Sequence, residues 1–138
     1  MVLGGVSFDG PGLEGHSDAD AIAHACTDAL LGAAGLGDIG SWFPDTDAQF
    51  AGADSIELLR TAVQAVKEQG WSPVNLDCSV VAATPKLAPQ REAMQKVLSE
   101  VIGAPVSIKG KRPEGISVDG VACWCVALIQ QTSEEGTT

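Results

Sequence analysis

The chain contains no tyrosine, and three tryptophans and three phenylalanines make up only 4% of it. Its interior must therefore be built from small aliphatic side chains. Positive charge is equally scarce: eight Lys and Arg stand against eighteen Asp and Glu, a net charge of −10. That balance argues against nonspecific binding to nucleic acid or to an anionic membrane surface. Anionic substrates stay open, because a few local cations, metal ions and backbone amides suffice to hold them. No run of eighteen apolar residues is present, and the first residues, MVLGGVSFDG, lack the basic region of a signal peptide. A cytoplasmic protein with no membrane partner is expected. The four cysteines, Cys26, Cys78, Cys123 and Cys125, show no C-x2-C spacing, and each lies in an apolar segment. Reduced, buried thiols are the expectation. Internal repeats, heptads and low-complexity tracts are also missing.

What is present is 138 residues, 45% hydrophobic, with 16 glycines and 7 prolines. This suits one globular domain, expected over residues 1–131, with a polar tail over 132–138. The stretch from Gly15 to Asp47, GHSDADAIAHACTDALLGAAGLGDIGSWFPDTD, crowds both histidines among closely spaced aspartates. Ser17 is positioned as an N-cap, with Asp20 three residues on, and Ile22, Ala25, Cys26, Ala29, Leu30 and Ala33 follow as an apolar stripe at helical spacing. Asp20, His24 and Asp28 then share one helix face, four residues apart. An imidazole flanked by carboxylates serves as a metal ligand or general base, and equally as part of a polar solvent face.

In chain order, Val2 to Phe8 predicts a strand interrupted at Gly4-Gly5, and the histidine helix stops at Gly35 or Gly37. A loop carrying Asp38-Ile39-Gly40 and Phe43-Pro44-Asp45-Thr46-Asp47 precedes a second helix capped by Asp54 and stopped by Gly70. The alternation at Val74, Leu76, Cys78 and Val80 predicts a half-buried strand that runs into Ala82–Lys86. A helix then runs from about Pro89 to Gly103, followed by strands at Pro105–Lys109 and Val121–Gln130. The predicted class is α+β, with helices packed on one face of a small mixed sheet. Because the last strand is apolar on both sides, its outer face calls for a second copy of the chain.

Taken in order, H-S-D-x-D-x-x-x-H from His16 to His24, the G-L-G-D-I-G turn, F-P-D-T-D and the T-P-K turn resemble the 2-C-methyl-D-erythritol 2,4-cyclodiphosphate synthase family. The resemblance implies a homotrimer whose sheets face a three-fold axis, with active sites at the subunit boundaries. It also implies a CDP-linked methylerythritol phosphate as substrate, cyclised with release of CMP, in non-mevalonate isoprenoid biosynthesis. By this likeness His24 is a zinc ligand, and His16 and Ser17 position the attacking phosphate, with His16 stabilising the transition state. Asp38, Ile39, Gly40, Phe43, Pro44, Asp45, Thr46 and Asp47 form the floor and wall for the methylerythritol part. Ala82, Ala83, Thr84, Pro85, Lys86, Leu87 and Ala88, with Lys111, Arg112, Pro113 and Glu114, form the nucleotide pocket. Glu114 additionally corresponds to a ligand of Mg2+ or Mn2+.

The chain departs from the family pattern in three places. The zinc site implied by the resemblance is completed by an Asp-x-His pair on a strand ahead of the Gly-Gly segment, and Met1–Gly5 contain no such pair. The turn before Glu114 reads Gly110-Lys111-Arg112-Pro113, where short hydroxyls would be expected; Pro113 has no amide to donate. The segment Gly115 to Gly120 is short. Weak catalysis is the corresponding expectation for this chain, and a catalytically silent trimer that binds nucleotide is the alternative.

Overall fold

The computed structural model describes residues 1–10, 19–116 and 119–132. Strands β1 (Val2–Leu3) and β2 (Val6–Ser7) pair antiparallel. The expected single strand is thus a hairpin, because Gly4 and Gly5 take φ of +58° and +75° and reverse the chain between them. Space as well as φ requires glycine there. A Cβ on Gly4 would stand 2.9 Å from Met94 Cβ, and one on Gly5 would stand 2.7 Å from Val97 Cγ1.

Helix α1 (Ala21–Ala33) buries Ile22, Ala23, Cys26, Thr27, Leu30 and Leu31. Its N-cap is Asp20, which corrects the placement of the cap at Ser17, a residue outside the described set. A one-turn helix, α2 (Ile39–Trp42), replaces the open loop expected there; Asp38 caps it in a reciprocal capping box with Ser41. Helix α3 (Ser55–Glu68) starts at the expected Asp54 cap and buries a stripe from Ile56 to Val66. Helix α4 (Arg91–Ile102) follows a 3-10 turn at Ala88–Gln90 and buries Met94, Leu98 and Ile102, each four residues apart.

Strands β3 (Trp71–Ala82), β4 (Val106–Lys111) and β5 (Val121–Gln131) form one mixed sheet in the order β4-β3-β5. β4 runs parallel to the central β3, and β5 runs antiparallel to it. β3 begins three residues earlier than the alternation suggests, because a register irregularity between Pro73 and Asn75 absorbs the proline that would otherwise break the ladder.

One sheet face carries Leu76, Cys78, Val80, Val106 and Ile108 into the core beneath α1, α3 and α4. The opposite face presents Trp124, Val126 and Leu128 of β5, exposed to 61%, 73% and 54%. Among the described residues helices cover one side only, so the molecule is α+β with one apolar strand left facing outward. No helix among the described residues is long and apolar enough to cross a membrane.

Candidate active site

The start of α1 is built on a buried carboxylate. Asp20 is fully buried, and its Oδ1 accepts the amides of Gly4 (2.8 Å), Ile22 (3.1 Å) and Ala23 (3.0 Å) while Oδ2 accepts that of Gly5 (2.7 Å). One side chain thus caps the helix and clamps the hairpin to it. Asp28, two turns on, is exposed and accepts the Ile39 amide at 2.9 Å, which fixes the start of α2. His24 Nε2 lies 2.7 Å from the hydroxyl of the buried Ser55 at the start of α3. The three side chains expected to act together on one helix face therefore go to three different partners. The local spacing is right, but tertiary amides and α3 decide where each group bonds.

A cleft of about 340 Å³ opens beside His24 and is lined by Ile39, Gly40, Phe43, Pro44 and Asp45, together with Phe50 and Leu58. Asp38, Thr46 and Asp47 do not line it: Asp38 accepts the Ser41 amide at 2.8 Å, and Asp47 holds Gln49 through two hydrogen bonds. The Asp38 and Asp47 carboxylates instead cap the short helical turns that follow them. Phe50 and Leu58 were not singled out from sequence. Phe50 joins because its ring meets Phe43 edge-on, with centroids 5.3 Å apart at 85°.

A second cleft, of about 570 Å³, lies at the ends of β3 and β4. These strands are parallel neighbours with Val81 opposite Lys111, so the segments leaving them emerge side by side. Ala82, Ala83, Pro85, Lys86, Leu87 and Ala88 from one segment meet Lys111, Arg112 and Pro113 from the other, with Val80, Gly110 and Arg91 completing the lining. Lys86, Arg91, Lys111 and Arg112 are half of the chain's eight Lys and Arg, gathered in one depression of a strongly acidic protein. Such a depression attracts a polyanion. Thr84 and Glu114 fall outside the lining, and His16 and Ser17 lie outside the described residues. Arg91 was missed from sequence, where it reads as an ordinary first-turn helix residue.

The YgbB family profile matches residues 1–130. The chain belongs to the YgbB family. Among its relatives, the 2-C-methyl-D-erythritol 2,4-cyclodiphosphate synthase of Bordetella petrii is 49% identical over 96% of this chain and 87% of its own length. The synthase of the same name from Laribacter hongkongensis is 50% identical over 98% of this chain and 88% of its own. A solved 2C-methyl-D-erythritol-2,4-cyclodiphosphate synthase with CDP bound superposes with a TM-score of 0.87 at 37% identity, covering 94% of this chain and 89% of that one.

A catalytic zinc site uses three protein ligands. Among the described residues, no group of three His, Cys, Asp or Glu side chains includes His24, and none includes Glu114. The described residues do not complete such a site around either one.

Among the described residues the one such group is sulfur only, Cys26, Cys78 and Cys125, whose Sγ atoms all lie within 4.8 Å of one another. All four cysteines are free thiols, and Cys26 Sγ is 3.5 Å from Cys78 Sγ. Hydrogen bonding with Cys125 and Cys78, then burial, holds the Cys26 thiol well above its ordinary range. For Cys125 the contact with Cys26 acts downward, but the contact with Cys78 and burial outweigh it and push the thiol up to about 12. For Cys78, contacts with Cys123, Cys125 and Cys26 act downward against the upward effect of burial and lower the thiol; either sulfur of the Cys26–Cys78 pair can be the donor.

Proposed function

We propose that this chain is a 2-C-methyl-D-erythritol 2,4-cyclodiphosphate synthase, a phosphorus–oxygen lyase that closes 4-diphosphocytidyl-2-C-methyl-D-erythritol 2-phosphate into a cyclic diphosphate and releases CMP. The single observation that supports it most is the match to same-named relatives at about half identity over nearly the whole chain. The two clefts fit the two ends of that substrate. Beside His24, the backbone of Ile39 and Gly40 with the rings of Phe43 and Phe50 suits a small branched polyol, and Asp45 accepts from its hydroxyls. Lys86, Arg91, Lys111 and Arg112 suit the diphosphate and the departing CMP, whose charge rises as the bond to the β-phosphorus breaks.

The clefts of one chain share no lining residue. In this reading each active site joins the polyol cleft of one subunit to the cationic cleft of its neighbour, in a homotrimer assembled through the exposed face of β5. His16 and Ser17 hold the attacking phosphate. Zinc near His24, and Mg2+ or Mn2+ near Glu114, belong to the reading as cofactors, and when bound they would supply neutralisation of phosphate charge. What this chain's own residues supply is orientation and charge: attack and leaving oxygens are held in line, and the pocket cations meet the leaving group.

The deciding assay incubates the full chain with that substrate, Zn2+ and Mg2+, and follows CMP and cyclic diphosphate. Equal formation of both supports the synthase. Tight CDP binding without CMP release supports the second reading, a trimeric nucleotide-binding module without turnover; the gathering of Lys86, Arg91, Lys111 and Arg112 in one cleft of a single chain favours that reading. Either way, Lys86→Ala is expected to weaken CDP binding about tenfold, the loss of one partly exposed charge-assisted contact. The deficit should shrink at high salt in calorimetric titrations, as screening reduces the wild-type advantage. Unchanged affinity at low salt would remove Lys86 from the pocket.

A further inference from the structure

The thiol group lies apart from both clefts. We propose that Cys26, Cys78 and Cys125 form a buried binding site for a thiophilic divalent d10 cation of the Zn2+ and Cd2+ class. The three sulfurs come from three different elements, and the fold alone brings them together. Cys78 and Cys125 are directly opposed on β3 and β5, and Cys26 descends onto that pair from α1. Cys26 and Cys78 are fully buried, and Cys125 is half-buried.

Three sulfurs bound to one ion at about 2.3 Å stand about 4 Å from each other. The present arrangement, with all pairs within 4.8 Å and Cys26 Sγ at 3.5 Å from Cys78 Sγ, is compatible with that value. Closing the site therefore needs side-chain adjustments rather than movement of the sheet.

Ligand chemistry narrows the ion. The group holds no carboxylate and no imidazole, so Mg2+, Ca2+ and Mn2+, which take oxygen donors, are excluded. Charge narrows it further. Three thiolates around a monovalent ion leave two negative charges in the core, and around a divalent ion only one. Cys123 lies on the same face of β5 but outside the group within mutual reach, so the site is three-coordinate in protein sulfur. With Cys26 and Cys78 fully buried and none of the three sulfurs lining either cleft, the ion would sit in the core, away from the proposed substrate.

The test uses the full chain, kept reduced with a phosphine, and Cd2+ alone as the probe, because cadmium–thiolate charge transfer reports sulfur ligation and is blind to imidazole. Cd2+ is added both to the folded chain and during refolding, so that slow entry into the core does not mask binding. Expected is an ultraviolet charge-transfer band that saturates at one ion per chain, with proton release and a raised unfolding temperature. The band should vanish in Cys78→Ala and Cys125→Ala and persist in Cys123→Ala and His24→Ala. Cys125→Ala, altering the half-buried member, keeps the test intact if Cys78→Ala does not fold. No band in either preparation overturns the proposal. So does a band that survives Cys125→Ala, or one abolished by His24→Ala.

Discussion

Asp20→Ala is expected to lower the free energy of unfolding by about 4 kcal/mol, the range for removing one partner from a buried charged network. The carboxylate is fully buried and accepts four backbone amides, from Gly4, Gly5, Ile22 and Ala23. Alanine leaves those donors without that acceptor and removes the α1 cap, a position where the cap by itself is worth about 1 kcal/mol. Small domains have only about 5–15 kcal/mol in hand, so the loss removes a large share of the total. Asp20→Asn should lose less, because its carbonyl oxygen can keep the three bonds made by Oδ1 while its amide group faces the Gly5 N–H. Urea midpoints followed by circular dichroism at unchanged slope measure both. A shift for Asp20→Ala no larger than that of an ordinary surface substitution would falsify the clamp.

Val126→Asp is expected to convert the proposed trimer into single folded chains. In the isolated chain Val126 is 73% exposed, so an aspartate there meets water and leaves the fold intact. In an assembly closed on this face, the same carboxylate is buried without a partner once per subunit, at a cost of several kcal/mol each. Light scattering should show the mass fall to that of one chain, with the helical signal retained. CMP release should fall with it, because the proposed site takes one cleft from each of two subunits. Gln64→Asp, exposed on the helical side, provides the matched control and should leave the mass unchanged. An unchanged mass for Val126→Asp would move the contact surface elsewhere.

Local signals carried most of the fold. The Asp54 cap, the helix that follows it, the alternation of β3 and the two-faced β5 are all properties of neighbouring residues, and they appear as expected. The cap of α1 was misplaced because Ser17 and Asp20 satisfy the same local pattern; amides sixteen and fifteen residues away decide between them. The same holds for Asp28, which reads as a partner of His24 but bonds Ile39. The clefts divide similarly. The loop residues beside His24 and the two turns at the sheet end were visible as motifs, whereas Phe50, Leu58 and Arg91 enter through packing. The thiol group was invisible for the same reason. Cys26 and Cys78 are 52 positions apart, and no spacing rule joins a helix residue to two strands.

The clasp between the hairpin and α1 also sets how the molecule breathes. A two-residue hairpin has too few bonds to hold itself. This one is held by Asp20 from one side, while Met94 and Val97 of α4 close in on its glycines from the other. The hairpin, the first turn of α1 and the flank of α4 thus form one cooperative unit. The Gly4 amide, buried against Asp20, is expected to trade its hydrogen with solvent when that unit opens, so a strand of two residues inherits the lifetime of the core.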